Sequence, residues 1–442
     1  MNKKVTVIGG GVAGLSSAVF LKNKGFEVQL YEGSPKLGGR ASSYFDKDEN
    51  LFFDNGQHIF AGWYVATFEY LKLIGTFDKL DFQKSLNIKL IDSDKNIFEF
   101  SAFDLPVPFN LLLGFLKFKA LHFRDILKII RLMLFIRKNN FNPVFDGLNL
   151  DKIFKIIPQS INSMKYFWEP LIISVFNSVP EKVSFQIFKK VIAVAYQKKS
   201  FSALVLPKVD LYSIITKGAE NYFLSNKVEV HISEMCQSLK IINDKIDYAL
   251  LSNGTKIYSD DFVLAVSFYN FFKIFSEEDV RKYFPYSKEL TPSSVISIHI
   301  IFEDTLSPDI IPFNNYGMLG ITGKTIQWIF RKSNNIISLT ISALDFDKTL
   351  NAITNSEIFD ICLKELFELF EQLKTNRILK FKVIRNNKAT FISDAESVLA
   401  RLNSKTKIEN LYLAGDWVNT GLPSTIESAV KSSKIISELM VK

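Results

Sequence analysis

The feature that most limits what this chain can fold into is a glycine loop directly behind a short apolar strand. Val5-Thr6-Val7-Ile8 runs into Gly9-Gly10-Gly11-Val12-Ala13-Gly14, which fits G-x-G-x-x-G. Gly9 allows the tight turn, Gly11 lets a pyrophosphate reach the backbone, and Gly14 lets helix meet strand. Gly9, Gly11, Ala13 and Gly14 are thus the expected phosphate-facing positions. The pattern predicts a helix over Leu15 to Asn23, its free N–H groups aimed at the phosphates. Gly25 ends that helix, and Glu27 to Tyr31 form the second strand. Glu32 stands at its tip, 18 residues beyond Gly14. A carboxylate there accepts bonds from ribose hydroxyls and repels a 2′-phosphate. Strand, loop, helix, strand and acid in register specify a dinucleotide.

Two further motifs choose the nucleotide. Gly38-Gly39-Arg40 follows the acid. It resembles the extended fingerprint of the amine oxidase and phytoene desaturase flavoproteins. The resemblance implies FAD, with Gly39 passing close to the cofactor and Arg40 beside its phosphates. Near the other end, the strand Leu411 to Ala414 leads into Gly415-Asp416, and Gly421-Leu422-Pro423 precedes a segment of helical periodicity from Ser424 to Leu439. In the same flavoproteins the Gly-Asp pair closes on the ribityl chain and pyrophosphate. The resemblance therefore implies cofactor contacts for Gly415, Asp416, Thr425 and Ile426, the last two opening a helix aimed at the flavin. Backbone donors at a helix N-terminus stabilise negative charge on a reduced flavin.

Between these ends, Lys227 to Ile232 alternates like a strand, with Val230 expected against the cofactor. A second strand, Asp244 to Ser252, turns at Asn253-Gly254 into Thr255 to Ile257. Asp261 to Val266 is continuously apolar after its first residue, as in a strand buried on both faces. The expected fold is α/β: a discontinuous Rossmann-like FAD-binding domain of the GR2 type, built from 1–85, 205–268 and 396–442. The stretches 86–204 and 269–395 are expected to form an α+β substrate domain with a helical, membrane-facing subdomain.

Composition narrows the remaining choices. A chain of 442 residues, 47% hydrophobic, can bury two or three cores. Cys236 and Cys362 lack paired spacing, which fits a reducing cytoplasm, and the four histidines lack metal-ligand spacing, so no metal site is expected. The N-terminal apolar run leads into glycines and does not read as a signal peptide. No run is long and apolar enough to span a bilayer. The 41 phenylalanines suit a large apolar cavity. The formal charge of +8 is partly concentrated in residues 103 to 138, where Lys117, Lys119, Arg124, Lys128, Arg131, Arg137 and Lys138 punctuate a Leu-, Phe- and Ile-rich run. Apolar positions from Ile126 to Ile136 recur at helical spacing. A basic amphipathic helix of this kind can lie on an anionic bilayer, or it can pack in a core with a solvated basic face. The expected location is cytoplasmic, peripheral on the inner face of the cell membrane, with no nucleic-acid partner.

Five stretches carry a finer resemblance over nearly the whole chain: Asp54 to His58, Trp168 to Leu171, Leu206 to Leu211, Gln327 to Phe330, and Gly415 through Glu427. They resemble the hydroxysqualene dehydroxylases, a branch of the phytoene desaturase group. Asn386, Ser433 and Leu402 depart from that pattern, where a glutamate, a glycine and a proline are usual. The resemblance implies that a hydroxysqualene-like C30 isoprenoid loses its allylic hydroxyl and receives hydride from reduced FAD, giving squalene for hopanoids or related triterpenes. Hydroxide leaves poorly unless an acid protonates it, and aromatic faces can stabilise an allylic cation. The candidate acids are His58, whose segment should run beside the flavin, Glu169, flanked by Trp168 and Pro170, and Glu427. Each also has a structural reading as a hydrogen-bonding or helix-capping residue. A carotenoid desaturase of the phytoene type uses the same motifs. An amine oxidase would want carboxylates and an aromatic cage. A non-catalytic flavoprotein scaffold at the membrane would need only the FAD motifs.

Overall fold

The computed structural model describes residues 3–47 and 49–441. Its first lobe is organised by a five-stranded sheet whose neighbouring strands all run parallel. Their order is Glu229–Ile232, Glu27–Glu32, Lys4–Ile8, Asp261–Leu264 and Leu411–Leu413. Strands distant in sequence thus share one sheet. Val5, Val7, Leu30, Val263, Leu411 and Leu413 are buried, as continuous apolar runs in a doubly covered parallel sheet should be. One covering helix is Val12–Asn23, and the closing helix Ile426–Val441 packs against it. A three-stranded meander, Cys236–Ile242, Lys245–Leu251 and Lys256–Ile257, follows the edge strand.

The second lobe carries a seven-stranded sheet in the order 378–391, 292–302, 336–341, 328–331, 318–322, 87–92 and 97–101. All its pairings are antiparallel except that of Met318–Thr322 with Asn87–Asp92. Helices from Phe109 to Ala195 fill the chain between the strands at 97–101 and 204–207.

Three expectations shift. The first helix starts at Val12 instead of Leu15, with Gly11 as its extended N-cap, so Gly14 lies inside the first turn. The strand predicted from Lys227 starts at Glu229, because Lys227 closes the helix Lys217–Asn226 in the left-handed region (φ +55°). Phenylalanine mostly fills cores, and among the described residues Phe330 is the one that lines the cavity. Phe98, Phe100, Phe115, Phe118 and Phe167 form one run of ring contacts, and Phe271, Phe275 and Phe284 another. Edge-to-face aromatic pairs are an efficient filling for wide gaps between helices.

The basic helix Phe123–Lys138 also differs from expectation. Its recurrent apolar face (Ile126, Ile129, Leu132, Ile136) is buried inside the protein, so that face cannot meet lipid. No helix of the described residues is long and apolar enough to cross a membrane.

Candidate active site

One cavity of about 1340 Å³ joins the two lobes, larger than the roughly 300–1,000 Å³ that suits one small ligand. One part is lined by the glycine loop, Glu32, Gly39, Arg40, Gly415, Asp416, Thr425 and Ile426. The other is lined by the Asn55–Ile59 loop, Tyr64, the end of the helix Glu169–Phe176, and second-lobe strands through Val295, Trp328, Phe330 and Thr340.

The nucleotide part suits a dinucleotide on geometric grounds. A Cβ on Gly14 would stand 1.7 Å from the Gly9 carbonyl oxygen, so only glycine lets the helix seat on the loop. Gly39 has φ +60°, and a Cβ there would fall 2.9 Å from the Gly11 Cα, closing the channel between the two glycine segments. No side chain caps the first turn of the helix Val12–Asn23, leaving its N-terminal dipole to the cavity. Glu32 already accepts from Gly10 N (2.6 Å) and Ser34 N (2.7 Å). These bonds fix the carboxylate at the cavity wall and leave each oxygen a further lone pair to accept with.

Arg40 and Asp416, 376 positions apart, form an ion pair. Arg40 also donates to the Ala389 carbonyl (3.1 Å) and stands over the Phe268 ring. Burial alone would push the Asp416 carboxyl up. The Arg40 guanidinium and the Ser424 hydroxyl hold it below its ordinary value instead. Behind it, buried Arg401 donates to the carbonyls of Trp417, Leu422 and Asp416, pinning the loop after the Gly-Asp pair. The unusual Ser433 is accommodated: it donates to the Ala13 carbonyl (2.7 Å) and accepts from Ser16 and Ser17, tying the closing helix to the first. Asn386 lines the cavity, and Leu402 uses its carbonyl to accept from Asn419 N.

Of the expected cofactor residues, Gly9, Gly11, Ala13, Glu32, Gly39, Arg40, Gly415, Asp416, Thr425 and Ile426 line the cavity. Gly14 stands just behind them. Val230 does not line it. It pairs with Leu30 and packs against the first core, while Met235, Cys236 and Gln237 form the wall at that edge. The chain bends into the cavity only after the strand ends at Ile232.

The three expected acids separate. His58 lines the cavity, but burial, helped by the Lys332 charge and opposed by Asp54, holds its imidazole below the ordinary range. It is therefore neutral near pH 7 and a weak proton donor. Glu169 is exposed at the start of its helix, and the cavity wall begins a turn later at Ile173. The preceding residues, Met164–Trp168, form a π-helical turn that buries Trp168 and leaves its neighbour outside. Glu427 is buried but does not face the cavity. Its carboxylate accepts from Ala66 N (3.0 Å), Thr67 N (2.8 Å) and the Thr67 hydroxyl (2.7 Å), capping the helix Val65–Leu73 instead of serving its own helix.

Burial pushes Glu427 up to about 7 against those three donors. The folded state therefore holds an extra proton between the unfolded value near 4.5 and about 7. That stability is complete below the lower value and lost as pH rises through the upper one, on the order of 3 kcal/mol at most. Glu427→Gln imitates the protonated acid. Urea midpoints measured across that window should decline less steeply for the variant than for the parent. The variant itself should cost about 1–2 kcal/mol at acid pH, for the N–H it no longer satisfies.

Tyr64 was missed. Its ring is buried, touches Phe60 and Trp63, lines the cavity, and its hydroxyl meets the Thr425 side chain at the start of the closing helix. Burial, with Glu427 nearby, raises the phenol far above its ordinary value, so it keeps its proton. The available signal was its place, six residues after His58 and immediately ahead of a helix. The cavity's charges are one-sided. Among the described residues its only carboxylates are Glu32 and Asp416, both in the nucleotide part, whereas Lys273, Arg385 and Lys388 add cations to Arg40.

Known proteins bear on this geometry. The family described as flavin containing amine oxidoreductase matches residues 12–441. The chain is 26% identical to a hydroxysqualene dehydroxylase of Zymomonas mobilis subsp. mobilis, over 98% of both proteins. It is 24% identical to a 15-cis-phytoene desaturase of Solanum lycopersicum, over 99% of this chain and 78% of that one. An oxidoreductase structure from Methanosarcina mazei superposes with a TM-score of 0.75 at 18% identity, covering 98% of this chain and all of that one. Putrescine oxidase bound to putrescine superposes at 0.71 with 11% identity, covering 100% of this chain and 99% of that one. The chain is a FAD-dependent oxidoreductase and belongs to the flavin-containing amine oxidoreductase family.

Proposed function

We propose that this enzyme reductively removes the allylic hydroxyl of a hydroxysqualene-like C30 isoprenoid, giving squalene. The observation that carries the reading is the charge and polarity of the second part of the cavity. Among the described residues it offers no carboxylate to an ammonium group. An amine substrate, itself a cation, would find no counter-charge there, whereas a neutral isoprenoid finds Ile173, Val175, Val295, Trp328, Phe330 and Ile384. The relatives named for hydroxysqualene and phytoene support the same substrate class.

The reaction needs one proton, so that the hydroxyl leaves as water, and one hydride, so that the carbon ends as C–H. Reduced FAD, when bound, supplies the hydride. The chain's own residues handle the proton. Because burial disfavours its phenolate, Tyr64 acts as a relay where the closing helix begins: Oη gives its proton to the departing oxygen as it receives one from solvent. Neutral His58 orients the hydroxyl through its ring nitrogens. The Trp328 indole, fixed by its N–H to the Ser174 hydroxyl (3.0 Å), presents an aromatic face to positive charge developing on the allylic carbons.

The test is product analysis. Protein loaded with FAD is reduced anaerobically and given hydroxysqualene, and in parallel the oxidised form is given phytoene. Squalene from the first and no desaturated polyene from the second is the expected pair. The reverse pair would make the chain a carotenoid desaturase. Bound FAD with neither product would leave the scaffold reading standing.

A further inference from the structure

Two consecutive helices of the second lobe each carry an apolar line that faces solvent, separate from the line that faces the core. In the helix Phe123–Lys138 this line is Phe123 (64% exposed), Leu127 (48%) and Leu134 (59%). At 100° per residue these three fall within a narrow sector, on the side away from Ile129, Leu132 and Ile136. Arg124, Lys128, Arg131 and Lys138 flank it on one side and Arg137 on the other, all exposed. The preceding helix, Phe109–Lys117, repeats the arrangement with Phe109 (59% exposed), Leu113 and Leu116 beside Lys117. Just beyond, Phe141 is 96% exposed.

The charges identify the occupant. Among the described residues none of the seven cations from Lys117 to Lys138 forms an ion pair. The nearby acids are already engaged, Asp104 with Lys199 and Asp125 in the cap of its own helix. A single-sign field beside protruding aromatic and leucine side chains matches an anionic bilayer surface: the apolar side chains enter the acyl boundary while the cations meet headgroups. A second copy of this chain would bring the same seven unpaired cations face to face.

We infer that the exposed Phe109–Leu116 and Phe123–Leu134 lines, with their flanking cations, dock this enzyme on an anionic lipid surface. The docking stands independently of the substrate assigned above. The probe is flotation of the FAD-loaded protein with vesicles of phosphatidylglycerol and phosphatidylcholine, or of phosphatidylcholine alone, at low and high salt. Parent protein should float with the anionic vesicles and lose much of that binding in salt. Arg124→Gln, Lys128→Gln and Arg131→Gln together should weaken binding on the order of 100-fold. Phe123→Ser with Leu134→Ser should abolish flotation even at low salt. All these side chains are exposed, and an unchanged flavin spectrum checks that the variants fold. Parent protein that stays soluble with anionic vesicles at low salt would overturn the inference. So would apolar substitutions that leave flotation intact, or that abolish self-association in sedimentation while the parent ignores vesicles.

Discussion

Asp416→Ala should yield a protein that purifies with little FAD and unfolds at clearly lower urea. The carboxylate is buried, and removing it leaves the Arg40 guanidinium with the Ala389 carbonyl and the face of Phe268. Breaking one side of a buried pair costs about 3–5 kcal/mol, and Arg40, whose side chain keeps some exposure, places this site near 3. The loss reaches further than one contact, because the pair fastens the segment after the first glycine loop to the segment after the last parallel strand. Ser424 also loses its acceptor, freeing the start of the closing helix. Asp416→Asn keeps a hydrogen-bonding oxygen and loses the charge, so its urea midpoint should fall between those of parent and alanine variant. Flavin absorbance per protein should follow the same order. An alanine variant with the parent's midpoint and full flavin would show that the pair fastens nothing.

Tyr64→Phe should retain FAD and the parent's stability within about 1 kcal/mol, yet lose turnover on the order of 10²–10³-fold with little change in KM. The substitution removes one oxygen and leaves the ring contacts with Phe60 and Trp63. A merely structural hydroxyl would not alter the proton inventory of the reaction. The parent should therefore turn over more slowly in deuterated water, and the variant should depend differently on the solvent isotope. Equal turnover in parent and variant would return the proton to another donor.

These predictions also show which parts of the site could be read along the chain. The glycine loop, Glu32, Gly39 and the Gly415-Asp416 pair were legible because a pyrophosphate beside backbone admits few residue types at fixed spacings. Fastening by Arg40 was not, since a pairing across 376 positions leaves no local trace. Val230 was misplaced because alternation reports a strand but not where the chain leaves it. Glu169 and Glu427 were misplaced for a related reason. Burial and a neighbouring apolar residue mark a side chain as interior, whereas facing a cavity depends on a π-helical turn in one case and on a distant helix N-terminus in the other. The basic helix gives the sharpest contrast. Its periodicity was read correctly, but the recurrent face belongs to the core, and the solvent-facing line emerges only once the core face is known.

The proposed function rests on a cavity whose second part, among the described residues, offers apolar side chains to a neutral isoprenoid and no carboxylate to an amine. The most direct measurement is anaerobic rapid mixing of the FAD-reduced enzyme with hydroxysqualene, following the return of oxidised-flavin absorbance beside squalene formed. Reoxidation by hydroxysqualene, one squalene per flavin, and no bleaching of the oxidised enzyme by a primary amine are the expected results. Reduced flavin that ignores hydroxysqualene, together with oxidised flavin bleached by an amine, would contradict the proposed function.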